Sequence, residues 1–229
     1  MSATLVAGCS EGSAPATDPT TSEPDSSETP LPPVEFLEDA DGRTLHVDDA
    51  DWIQVIDGAP WASVPNAVVR LSPGTGKETA RIKTDIGTCT AMDVGYGSLW
   101  AGDCSDRARL LRIDPVSGRP TASIPLGGGL VPEGSVAAGT GGAWAIVNAP
   151  SGVRLIRIDP ATNRVTGRFP VPLSAAGVRT GLGGVWVTDP GQGRLLRIEP
   201  RTGRVVARTK TGAGARFFAE KRQPVWKGR

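Results

Sequence analysis

GYGSLWA (95–101), GTGGAWA (139–145) and GLGGVWV (181–187) carry one phrase three times: a glycine-rich stretch closed by a tryptophan. Around them, Trp61, Trp100, Trp144, Trp186 and Trp226 stand 39, 44, 42 and 40 residues apart. Self-similarity at about 40 to 45 residues marks a repeat architecture, and that period is the length of one β-propeller blade. The fold can therefore be argued before any single residue is given a role.

A second phrase follows each tryptophan by some ten residues: VVRLSPGTGK (68–77), LLRIDPVSGR (110–119), LIRIDPATNR (155–164) and LLRIEPRTGR (195–204). A third comes after it, as ETARIKT, PTASIPL, VTGRFPV and VVARTKT. Short apolar runs separated by turn signals, with no competing helical period, predict a four-stranded antiparallel meander for each repeat. The chain reads as an all-β propeller with about four to five blades present and a ring that is incomplete or open. The expected blades cover residues 51–83, 87–126, 130–171 and 175–209, with a partial one over 213–229 inside a domain of 34–229.

The turn chemistry agrees. In the segment starting at Asp114, the carboxylate can accept a backbone N–H, Pro115 presets φ, and Gly118 can take the left-handed region. Asn163 replaces that glycine in the third repeat, while Glu199 and Ser72 replace the aspartate in the fourth and first. A carboxylate recurring in the repeat suggests a metal or catalytic ring, but a folding requirement predicts the same recurrence. The glycine phrases lack a following helix and a P-loop Lys-Ser/Thr pair, so they read as tight hairpins and not as nucleotide loops. The tryptophan after each is expected between neighbouring blades as a rigid apolar plug.

Three cysteines divide between two roles. With Tyr96-Gly97 as a two-residue loop, Gly95 pairs with Ser98, and counting outward sets Cys89 opposite Cys104. Opposed strand residues lie about 4.5 to 5.5 Å apart at Cα, within disulfide reach. Two buried free thiols are the alternative. Cys9 ends Leu5-Val6-Ala7-Gly8-Cys9, which resembles the bacterial lipobox and marks Cys9 as a lipidation candidate at the end of residues 1–9. Only eight residues precede it, so a full signal requires translation to start upstream. Residues 10–33 hold 20 Ser, Thr, Pro, Asp or Glu out of 24 and no Lys or Arg, a composition that cannot bury a core and suits an extended tether.

Net charge is +1, but twelve acids and one base lie up to Asp51, against twelve acids and 24 bases beyond it. A basic globular part suits an anionic partner such as a wall polymer or lipid head groups; no nucleic-acid motif accompanies it. The arginines that recur in the LLRID and TGR phrases read by default as a solvated strand face.

The GSLWA…LLRIDP…SGRPTASIPL pattern, over about residues 51–211, resembles the YVTN-type repeat propellers and, within them, streptogramin (virginiamycin B) lyase-like proteins. The resemblance implies a propeller and a secreted bacterial setting. Enzymes of that family open a cyclic depsipeptide by elimination, with histidines, a glutamate and magnesium. Here the single histidine, His46, precedes the first repeat, so no catalytic, cofactor-binding or metal residue carries over and no cofactor is expected. Two functions are weighed: a non-enzymatic, membrane-anchored extracytoplasmic lipoprotein whose propeller binds a protein, peptide or anionic wall polymer, and a fragment of a lyase-like enzyme lacking its catalytic blades. Loops at one propeller face supply the binding candidates Asn66, Asp103, Asp106, Asn148 and Asp189. These side chains also suit turn starts.

Overall fold

The computed structural model describes residues 47–83, 91–103, 107–132 and 134–216. Cys9, Cys89, Cys104, Asp106 and Trp226 lie outside them. Four antiparallel sheets follow one another along the chain. The first holds β1 (Trp52–Ile56), β2 (Ala59–Val64), β3 (Ala67–Leu71) and β4 (Glu78–Lys83). The second holds β5 (Met92–Gly95), β6 (Ser98–Gly102), β7 (Arg109–Asp114) and β8 (Arg119–Pro125). A two-residue strand, β9 (Gly129–Leu130), precedes the third sheet of β10 (Val136–Gly139), β11 (Gly142–Ala149), β12 (Gly152–Asp159) and β13 (Arg164–Pro170). The fourth contains β14 (Val178–Gly181), β15 (Gly184–Asp189), β16 (Arg194–Ile198) and β17 (Val205–Lys210). Each main sheet is a meander of consecutive strands, the blade that the repeated phrases predict. Among the described residues no strand from one end of the chain completes a sheet at the other, so the ring is open.

Local chemistry explains these elements. Gly95 pairs with Ser98 around Tyr96 and Gly97, whose φ values are 54° and 66°. Two consecutive residues at positive φ make the hairpin turn whose twist matches the flanking strands. On the third hairpin of the later blades, Asp114 accepts from the N–H of Val116 at 2.9 Å and from Ser117 Oγ at 2.7 Å. Asp159 accepts from the N–H of Ala161 and from Thr162 Oγ1, both at 2.9 Å, and Glu199 from the N–H and Oγ1 of Thr202, both at 2.7 Å. The recurring carboxylates close their own turns.

The tryptophans join one blade to the next. Trp61 clusters with Met92, Leu99 and Ile113 of the second blade, Trp100 with Val136, Ile156 and Ile158 of the third, and Trp144 with Val178, Leu196 and Ile198 of the fourth. All three indoles are fully buried. Trp186, on the last described blade, is only half-buried. At the other end, Ile53 and Val55 of β1 are 60% and 59% exposed. Incomplete cover at both ends is what an open ring leaves.

Arg119, Arg164 and Arg204 of the TGR-type phrases are exposed as expected, but the arginines inside the LLRID-type phrases depart from a solvated face. Each stands opposite the tryptophan of its blade: Arg70 pairs with Trp61, Arg112 with Trp100, Arg157 with Trp144 and Arg197 with Trp186. The Arg112 guanidinium lies 5.1 Å from the Trp100 ring centroid, and Nη1 reaches the next blade to donate to Pro160 O at 2.5 Å and Asn163 Oδ1 at 3.0 Å. The cause is geometric. A residue directly across the ladder from an inter-blade indole points into the same seam, and a long planar cation can lie on the ring while its tip finds carbonyls.

Candidate functional site

In a four-stranded meander, the loop between the second and third strands and the connector to the next blade emerge at the same end. On that side, between the second and third blades, lies an open cleft of about 830 Å³. Its size falls in the range of small-ligand sites, about 300 to 1,000 Å³. Three segments line it: Arg107, Ala108 and Arg109 from the β6–β7 side; Pro125, the glycines 127 to 129, Leu130 and Pro132 from the blade connector; and Asn148, Ala149 and Pro150 from the β11–β12 turn.

The connector is a fixed wall. Leu130 pairs with Val147 and Gly129 with Asn148, so β9 extends the third sheet beside β10. Leu126 donates its N–H to Ala108 O at 3.0 Å, and its carbonyl accepts Arg168 Nη1 from β13 at 2.6 Å. Gly128 is needed there, because a Cβ on it would sit 2.4 Å from Asn148 O. Gly127, at φ +78°, turns the chain beside the Arg168 guanidinium. Arg107 and Arg109 are exposed, and Arg109 Nη1 donates to Ser123 Oγ at 3.3 Å. Among the described residues lining the cleft there are two arginines and no carboxylate.

The five residues singled out from the sequence fare differently. Asn148 is exposed and lines the cleft. Asn66 is exposed on the same side of the first blade, in a two-residue turn with φ 58°. Asp103 is buried, with its N–H on Arg109 O at 2.9 Å. Asp189 is fully buried, paired with Arg194 Nη2 at 2.6 Å and accepting from Ser174 Oγ. Asp106 lies outside the described residues. The structure thus brings Asn148 together with Arg107, Arg109 and the triple glycine, none of which the repeat pattern singled out. The available signal was PLGGGLVP (125–132), a connector unlike its counterparts in the other repeats.

The axial side is occupied by protein contacts. Arg179 of β14 donates to Val178 O at 2.8 Å and lies 5.7 Å from the Trp52 ring centroid. Gln54 Nε2 bonds Met92 O at 2.9 Å, and Asp93 Oδ2 accepts the Ala138 N–H at 2.8 Å, tying successive innermost strands together. Among the described residues, no three His, Cys, Asp or Glu side chains group closely enough to hold a metal ion.

Solved structures similar to this chain are β-propellers. BamB from Moraxella catarrhalis matches 71% of this chain and 50% of its own at 14% identity and a TM-score of 0.54. Sqt1 from Saccharomyces cerevisiae matches 72% of this chain and 48% of its own at 12% identity and a TM-score of 0.55. The dihydro-heme d1 dehydrogenase NirN matches 72% and 38% at 14% identity and a TM-score of 0.50. This chain therefore spans about half the length of the first two and less of the third. No family model and no curated protein matches it. Likeness at this level of identity carries the fold, and function has to be argued from the site.

Proposed function

We propose that this chain is a non-enzymatic propeller module that binds a protein or peptide partner at the cleft between its second and third blades. The cleft itself carries the reading: a rigid concavity with apolar walls, two exposed guanidiniums and the Asn148 amide offers recognition groups. The carboxylates that recur in the blades are instead engaged in turns, so they supply no acid–base pair of the kind that elimination or hydrolysis needs. The basic balance beyond Asp51 favours anionic partners by long-range steering. The setting proposed is extracytoplasmic, with Cys9 lipidated at the membrane and residues 10–33 spacing the propeller from it. No helix of the described residues is long and apolar enough to cross a membrane.

Two measurements test this reading. Partners crosslinked to the full chain should be lost when Pro132 and Asn148, both exposed in the cleft, are replaced together by lysine, with tryptophan fluorescence unchanged. Undiminished crosslinking would move the site elsewhere. Replacing Cys9 with serine should shift the protein from the membrane fraction to a soluble one, and an unchanged distribution would remove the anchor.

A further inference from the structure

Building on the cleft as the binding site, we propose that its ligand is an extended peptide carrying a carboxylate beside an apolar side chain. Both chemistries are present in the lining, with Pro125 directly across the ladder from Arg109. Arg107 and Arg109 stand together where the β6–β7 side enters the cleft. A guanidinium presents a planar fork of donors that fits a carboxylate with two parallel hydrogen bonds. Asp103, across the ladder from Arg109, is buried. Even if it neutralises one guanidinium, the described lining keeps a positive charge. The carboxylates nearest in sequence, Asp106 and Glu133, lie outside the described residues.

The remaining surface is apolar. Pro125, Pro132, Ala149 and Pro150 supply it, with no charge among them. A polyol-phosphate chain would satisfy the arginines and leave this wall unfilled, whereas a peptide has apolar side chains to place on it. Asn148, across the ladder from Gly129, offers both a donor and an acceptor, the pair that a peptide backbone requires. The β9–β11 pairing and the close packing of Gly128 hold the wall in place before binding, which lowers the ordering cost on association.

The experiment pans a phage-displayed random dodecapeptide library on the full chain. An enriched peptide is then labelled with fluorescein and titrated by anisotropy. Enrichment of Asp or Glu, or of a free C-terminal carboxylate, next to a large apolar residue is expected. Converting the peptide's Asp or Glu to Asn or Gln, or amidating its C-terminus, identifies which carboxylate is read. The relevant change should weaken binding about tenfold or more, the usual loss for one charge-assisted hydrogen bond. R107Q with R109Q should cause the same loss, with no further loss when combined with the altered peptide. Uncharged enriched peptides that ignore R107Q and R109Q but are lost on Gly128→Ala would overturn the ligand class and keep the cleft. Peptides indifferent to all cleft variants would overturn both. Polyglycerol phosphate binding through the two arginines, with no peptide enriched, would replace the peptide with a wall polymer. Binding of neither probe would count against both readings.

Discussion

Replacing Arg112 with alanine should cost far more than a surface substitution, because this side chain spans a blade seam. It donates to Ser98 Oγ at 2.9 Å and Tyr96 O at 3.3 Å within its own blade, and to Pro160 O and Asn163 Oδ1 in the next. Its stacking on Trp100 contributes about 0.5 to 2 kcal/mol. Loss of the charged hydrogen bonds, discounted for partial exposure, adds about 1.5 to 3 kcal/mol. A total of about 2 to 5 kcal/mol is expected. Arg157 occupies the same repeat position and donates to Gly141 O of its own blade at 2.9 Å. R157A should therefore cost only about 1 kcal/mol. Urea unfolding followed by tryptophan fluorescence reads both as midpoint shifts at an unchanged slope. Pairing R112A with N163G, which keeps the positive φ of that turn, should show a coupling of about 0.5 to 2 kcal/mol. Equal costs for R112A and R157A, together with an additive cycle, would refute the seam argument.

Three further outcomes follow from the same geometry. Trp144→Ala should destabilise the fold by about 3 to 5 kcal/mol, as for other buried large aromatics, and half-buried Trp186→Ala by visibly less in the same urea assay. The Asp114, Asp159 and Glu199 carboxyls are held below the ordinary carboxylate range, by Ser117, by the Ala161 N–H and by Thr202 respectively as the foremost cause. Their stabilising effect is full above the ordinary value of about 4 and is lost as pH falls through the lower folded values. D114N and D159N should flatten the acid-side fall in unfolding midpoint, and an unchanged profile would contradict the turn assignment. A Cys89–Cys104 bridge is the expectation from sequence, and on it mass spectrometry of alkylated protein should show both cysteines blocked until reductant is added. Labelling of both without reductant would disprove the bridge.

The sequence made the blades legible because within-blade pairing is local. The Tyr96-Gly97 loop fixes the β5–β6 register, and Asp114 with Gly118 fixes the β7–β8 hairpin, each over fewer than ten residues. The tryptophan spacing added the long period. The tryptophans were legible as plugs between blades, but the polar contacts across the seams were not: the reach of Arg112 to Asn163 depends on the angle between sheets, which no strand period encodes. The same reason hid the cleft. Arg107 and Arg109, the 125–132 connector and Asn148 belong to three segments that only blade packing brings together. Of the loop residues proposed beforehand, Asp189 shows how a polar residue at a loop can be internal, since Arg194 and Ser174 surround its carboxylate.

Hydroxyl-radical footprinting of the chain, free and bound to its selected peptide, tests the site most directly. Protection should fall on Pro125, Pro132 and Pro150, exposed residues that line the cleft, and leave Leu173, Leu182 and Val116 unchanged, exposed residues that do not line it. Protection of Leu182 and Val116 with the cleft residues still reactive would place binding elsewhere and contradict the account.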